Sequence, residues 1–392
     1  MIPELGPHLG SLREAAHAEP LGLYLHIPFC VDRCTYCSFV TTRDHAFKPA
    51  ALERLEQDLR AWGTLLERPA LDTLYLGGGT PSILTLDELA ALTAAARTAF
   101  DCSPLREATL EANPGTVDRA WLAGACGLGW DRISLGVQTL DDRLLRCLGR
   151  IHDAPAGLAA LRDARAAGFE RISADLMIGI PGQDLERLLA DARRLAAAGA
   201  NHLSIYMLDL DKACPLKVEV DAGRLALPSD ETVAEAFEAL QTELPALGFT
   251  PYEISNYAMT GQVSRHNTRY WERRPYLGLG PSAASHLGRW RWTESGSLPA
   301  WTEGRGSAEC QELTSAEALA EFPLMGLRML RGVDWEALRT RASGLELLPL
   351  VEQWEGQLEP FFRHGLLVRE GPILRFLPKG LLLSNAVLEI FV

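Results

Sequence analysis

Between residues 21 and about 210, short β-rich runs alternate with longer Ala- and Leu-rich stretches, and this alternation restricts the chain to few architectures. The strand candidates are 21–27 (LGLYLHI), 73–76, 108–111, 132–136, 171–177 and 202–207. Between them lie segments such as PAALERLEQDLRAWGTLL and LDELAALTAAARTAF, whose apolar residues recur at helical spacing. Gly168 and Gly199 stand where helices should stop, each just before the next strand. Six β-then-α units predict a parallel sheet with right-handed crossovers. The expected class is α/β, a partial (β/α)6 TIM-like barrel with a lateral mouth, because a complete barrel of this kind has more units. Periodicity alone also admits a doubly wound open sheet.

Polar residues sharpen the choice. Cys30 follows the first run, Gly77, Gly78, Gly79 and Thr80 the second, and Glu111 lies on the third. Gln138 follows the fourth, Asp175 lies on the fifth and Asp209 follows the sixth. In (β/α) barrels the working groups gather at the carboxyl ends of the strands, on one face.

After about residue 225 the texture changes. The stretch LPSDETVAEAFEALQTELPALGF predicts a helix capped by Ser229, with Glu231 in its first turn. An aromatic- and glycine-rich segment follows. The tail, from Glu317 onward, reads as helices and then a small β element at 365–368 and 373–377. The expected division is an N-terminal extension over 1–20, the barrel over 21–225, and a smaller C-terminal α+β domain over 226–392.

With 392 residues, 47% of them hydrophobic, the chain can bury a sizeable core. A net charge of −13 argues against a general nucleic-acid binder. The first twenty residues lack an apolar secretory core, and no run of about 18 residues is apolar and uncharged, so no membrane span is expected. The cysteines are unevenly placed. Cys30, Cys34 and Cys37 sit close together, whereas Cys102, Cys126, Cys147, Cys214 and Cys310 are scattered. In a cytosolic chain the close three read as a metal site and the others as small core or inert surface residues.

Thiolates suit iron–sulfur clusters and zinc alike, and three of them leave one metal position open. A structural zinc site completed by His26 or His45 is the alternative. Gly77, Gly78, Gly79 and Thr80 offer a backbone that a ligand can approach closely, and they lack the pattern of a P-loop.

Cys-x3-Cys-x2-Cys directly after a first strand, followed one β/α unit later by GGGT, resembles the radical S-adenosylmethionine superfamily. The run of motifs YLHIPFC, GGGTPS, LEANPG, RISLGVQT, LGRIH, DLMIGIPGQ, HLSIY, YEISNYA and HNTRYW is similar to one branch of it. That branch contains anaerobic coproporphyrinogen III dehydrogenase and the heme chaperone HemW. The resemblance spans Leu23 to about Leu383. It implies a [4Fe-4S] cluster on Cys30, Cys34 and Cys37, with one iron open to S-adenosylmethionine. It assigns Tyr24, Gly78, Gly79, Thr80, Glu111, Gln138, Arg150, Asp175 and Asp209 to that cofactor, with Arg150 forming a fork on its carboxylate.

Within the branch, the dehydrogenase pattern has a further cysteine where this chain has Phe39, and a longer arm than the 29 residues preceding Cys30. Both departures point to the chaperone. The resemblance then implies heme as cargo, held by His266, Tyr270 and Trp271 through an axial imidazole and flanking rings. It also implies delivery to heme proteins of the respiratory chain from the cytoplasm, at or near the inner membrane face, and is compatible with a homodimer. Oxidative decarboxylation of coproporphyrinogen III is the alternative activity. Where relatives read like GPGAHS, this chain has GPSAASH, which displaces the histidine to His286.

Overall fold

In a computed structural model, which describes residues 3–392, the expected alternation appears as six parallel strands. They are β1 (Leu21–Ile27), β2 (Leu71–Gly78), β3 (Glu107–Ala112), β4 (Arg132–Gln138), β5 (Arg171–Ile178) and β6 (His202–Met207). They pair in sequence order, each parallel to the next. Alternation within a strand divides its side chains between two buried faces, as parallel sheets require. On β1, Leu21, Leu23, Leu25 and Ile27 join the apolar core, while Tyr24 faces Tyr75 of β2 on the inner side.

The connecting helices start and stop on local chemistry. Thr85 forms a capping box with Glu88 ahead of Leu86–Ala99, and Asp118, Asp153 and Asp184 each cap the helix that follows. Gly168 ends Ala154–Ala167 in the left-handed region, at φ 109°, which a residue with a Cβ rarely enters. Ser229 caps Asp230–Ala246, accepting from the Thr232 amide.

The segment beyond residue 225 continues the sheet at both edges. β7 (Thr250–Pro251) and β8 (Asn256–Ala258) add to β6, with β8 antiparallel to it. On the other side β9 (Tyr276–Leu279) runs parallel to β1. Then β10 (Ala284–Leu287), β11 (Trp290–Thr293) and β12 (Glu309–Glu312) form an antiparallel extension. The twelve-stranded sheet ends in β12 and β7, which do not pair with each other, so the barrel stays open. A separate three-stranded sheet of β13 (Val333–Asp334), β14 (Leu367–Glu370) and β15 (Ile373–Phe376) packs with Trp335–Gly344 and Leu348–Arg363. Among the described residues no helix is long and apolar enough to cross a membrane.

The amino-terminal end of the barrel is closed by the short helix Arg265–Trp271. The buried Glu107 carboxylate accepts the amides of Arg265 and His266 at 3.0 and 2.9 Å, where a helix start favours negative charge. Arg269, fully buried, donates to Asp72 and to the carbonyls of Pro20 and Pro275. Arg274 donates to Glu19 and Asp72. A buried ion pair of this kind fixes geometry more than it adds stability.

Candidate functional site

At the opposite end, the carboxyl ends of the strands surround a cavity of about 510 Å³. Cys30, Cys34 and Cys37 line it from the loop after β1, and Gly78, Gly79 and Thr80 from the end of β2. Glu111, Gln138, Arg150, Asp175 and Asp209 complete the wall, so one space gathers residues spread over 180 positions of chain. None of Cys102, Cys126, Cys147, Cys214 and Cys310 lines it.

The cysteine loop is held from both sides. The amides of Gly79 and Thr80 donate to the carbonyls of Ile27 and Phe29, each at 2.8 Å, and the Thr80 hydroxyl lies 3.5 Å from the Cys30 sulfur. A Cβ on Gly79 would stand 2.7 Å from the Phe29 carbonyl oxygen and 2.9 Å from that of Ile27. The glycine is therefore demanded by the cysteine loop itself, rather than by a ligand above it as sequence reasoning supposed. At Gly78, φ 112°, an added Cβ would stand 2.6 Å from the ring of His26.

Both histidines that could complete a zinc site are engaged elsewhere. His26 bonds the Tyr24 hydroxyl through Nδ1 and the Val40 carbonyl through Nε2; His45 Nε2 bonds the Cys30 carbonyl. Among the described residues no three His, Cys, Asp or Glu side chains close on a single ion. Burial pushes the Cys30 and Cys37 thiols up, and the neighbouring thiols push the same way. Three adjacent thiolates in such a place need a polynuclear or otherwise positive centre between them, and the donor set fits a [4Fe-4S] cluster.

The wall opposite the cysteines is short of positive charge. Glu111 accepts from the Tyr75 hydroxyl at 2.6 Å and the Gly78 amide at 3.1 Å, and burial raises its carboxyl. Asp175 accepts from Ser134 at 3.3 Å, and burial, then the Glu111 charge, push it up to about 7. Arg150 is turned toward the thiols: one nitrogen donates to Cys34 at 3.2 Å and another to the Gly136 carbonyl. Its Nε has no partner, so the fork expected for a ligand carboxylate requires the guanidinium to reorient. Gln138 sits in the left-handed region at φ 69°, at a register shift between β4 and β5, and its buried Oε1 is also unpartnered. Such a bulge re-aims a side chain at a cost repaid by what it contacts. Two carboxylates, an orphaned amide oxygen and an orphaned guanidinium N–H fit a ligand carrying both ammonium and carboxylate, as S-adenosylmethionine does.

Four assigned residues, Tyr24, His266, Tyr270 and Trp271, do not line the cavity, and Asp209 lines it only at the rim. Tyr24 is inside the barrel below the cavity, with its hydroxyl 3.0 Å from His26 Nδ1, and reaches the cysteine loop only through that ring. Asp209 stands exposed on the rim, accepting the Asp211 amide. The group His266, Tyr270 and Trp271 is not at the cavity. His266 is 1% exposed; Nδ1 bonds Thr73 at 2.9 Å and Nε2 bonds Tyr270 at 2.8 Å, leaving no nitrogen for a heme iron. Burial drives its pKa down to about 3. Tyr270 packs edge-on against Tyr276, and Trp271 lies under Arg328. His286 bonds the Gly288 carbonyl on β10, away from the cavity. Sequence reasoning did not single out Tyr36, Ser134, Tyr206 or Met207, all of which line the cavity. The last two ended a predicted strand on the working face, which was the available signal.

The chain matches the Radical SAM superfamily over residues 24–196 and the HemN C-terminal domain over residues 313–383. Over 393 residues it is 32% identical to the heme chaperone HemW of Mycobacterium tuberculosis, covering 99% of this chain and 97% of that one. The chain belongs to the HemW family. HemW of Bacillus subtilis is similarly related, 32% identical over 378 residues, with 94% and 98% covered. So is the mitochondrial radical S-adenosyl methionine domain-containing protein 1 of Mus musculus, 32% identical over 410 residues, with 97% and 90% covered. The chain also shares its fold with coproporphyrinogen III oxidase, HemN, from Escherichia coli: TM-score 0.85, 22% identity, 98% and 92% covered.

Proposed function

We propose that this HemW-family chain is a heme chaperone that binds heme and passes it to respiratory cytochromes, and that it carries a [4Fe-4S] cluster and S-adenosylmethionine in the cysteine cavity. The observation that carries the reading is the pairing of full-length HemW similarity with three thiols gathered at one cavity. Phe39, where the dehydrogenase pattern has its further cysteine, supports the chaperone over the enzyme.

A [4Fe-4S] cluster on three thiolates supplies one iron with open coordination positions and a site for single-electron transfer. The protein's part is to hold and screen. Cys30, Cys34 and Cys37 are the ligands. Arg150 and Gln138 receive the carboxylate and amino ends of the cofactor, and Glu111 and Asp175 balance its positive charge. Gly79 and Thr80 keep the cysteine loop in place. The protein acts in the cytoplasm, with recipients at the inner membrane face.

The test is an anaerobic comparison of the reconstituted chain with heme plus apo-cytochrome in one vessel and coproporphyrinogen III in another. Transfer without porphyrinogen conversion supports the chaperone. Conversion to protoporphyrinogen supports the oxidase reading instead. Cys30→Ala, Cys34→Ala and Cys37→Ala should each lose the visible iron–sulfur absorbance, whereas Cys214→Ala should keep it.

A further inference from the structure

If heme is the cargo, the closed histidine at the far end of the barrel leaves its place to be found elsewhere. Large apolar side chains are rarely left in water in contiguous groups without a partner. Three exposed ones line the mouth of the cysteine cavity. Phe39 is 67% exposed, Tyr206 42% and Met207 40%, yet all three line that cavity. They come from opposite sides, Phe39 from the cysteine loop and the other two from the end of β6, so they flank the opening.

We propose that this rim is the docking face for heme, which lies over the cavity mouth between Phe39 and the Tyr206–Met207 pair; the inference rests on the chaperone reading above. The chemistry matches a flat apolar macrocycle with two propionates. Aromatic rings and a polarizable thioether pack on a porphyrin face. Cations are present on the same rim: Arg33, which also donates to the Cys37 carbonyl, and Lys212, which has no carboxylate partner among the described residues. Of the rim carboxylates, Asp32 is paired with Arg43 at 3.1 Å and Asp209 is tied to the Asp211 amide. Arg33 and Lys212 thus place two cations on the rim for the propionates, beside the Asp32 and Asp209 carboxylates. The cavity beneath is occupied by the cofactor in this reading, so heme sits above it at the opening and not within the barrel.

The rim can be tested without disturbing the fold, because its members are exposed. Heme is titrated into the full chain, with the Soret band read for wild type, Phe39→Asp, Met207→Asp and the uncharged Phe39→Ser. Leu345→Asp, at an exposed apolar position far along the chain, is the control, and thermal unfolding verifies each variant. The expected result is a dissociation constant raised about tenfold or more for each rim variant and unchanged for the control. Wild-type affinity in folded Phe39→Asp and Met207→Asp overturns the rim while leaving the chaperone reading standing. Failure of the wild type to bind heme at all overturns the chaperone reading, and the rim with it.

Discussion

Arg150 donates from its guanidinium to the sulfur of Cys34 across 3.2 Å, joining the end of the helix Asp142–Cys147, which follows β4, to the cysteine loop after β1. The residues are 116 positions apart, and the contact places a half-buried cation of the cavity wall at the thiols. In the proposed function Arg150 is therefore shared between the metal ligands and the cofactor beside them.

Arg150→Met should leave cluster assembly intact while weakening S-adenosylmethionine binding about tenfold, the scale of one lost hydrogen bond to a charged group. Arg150→Lys should recover part of it, since a point charge cannot reproduce the fork. Titrating the cofactor against the EPR spectrum of the reduced cluster measures both. An unchanged midpoint in Arg150→Met rules out the assigned role.

Gly79 makes a different prediction. A valine there meets the Ile27 and Phe29 carbonyls, so Gly79→Val should displace the cysteine loop, lower the unfolding midpoint and reduce iron incorporation. Replacing Thr80 by Val, which removes only the hydroxyl near Cys30, should cost far less. Iron content per chain after reconstitution, read beside the melting curve, distinguishes the two.

The Asp175 carboxyl, held up to about 7 by burial and by Glu111, should make cofactor binding depend on pH. A cationic ligand favours the ionised form, so affinity should tighten as pH rises toward about 7 and level off above it. Asp175→Asn should bind more weakly and lose this slope. Calorimetric titrations across that range check it; an equally steep slope in the variant would place the titrating group elsewhere.

His266 works in the opposite direction on stability. Its folded pKa, about 3, lies below the ordinary 6.5, so the unfolded chain takes up a proton first. The stabilisation is complete above about 6.5 and is lost as pH falls toward about 3. His266→Ala should cost about 2–4 kcal/mol, from the void and from the stranded Thr73 and Tyr270 hydroxyls. Its acid limb should be flatter than that of the wild type. Denaturant unfolding at several pH values measures both effects, and an unaffected stability would contradict the buried placement.

Much of this architecture could be read from residues acting locally. β1 and β6 were bounded by their apolar runs, Ser229 by its capping chemistry and Gly168 by the turn it permits. The cysteine spacing and the polar strand ends likewise pointed to one face. What escaped depended on distant partners. The imidazole of His266 is consumed by Thr73, 193 residues away, and no local pattern separates that histidine from a metal ligand. The need for glycine at position 79 comes from the carbonyls of another strand. β8 and β9 are too short to declare themselves and exist because β6 and β1 offer unpaired edges. The orientation of Arg150 likewise depends on Gly136 and Cys34 together.

The central claim is that the chain hands on heme, and one anaerobic measurement addresses it directly. The reconstituted, heme-loaded protein is mixed with an apo-cytochrome, and the holo-cytochrome Soret and α bands are followed with time. Heme transfer that fails when Phe39→Asp replaces the wild type is the predicted result. Absence of any transfer by the wild type, with conversion of coproporphyrinogen III by the same preparation, would contradict the account.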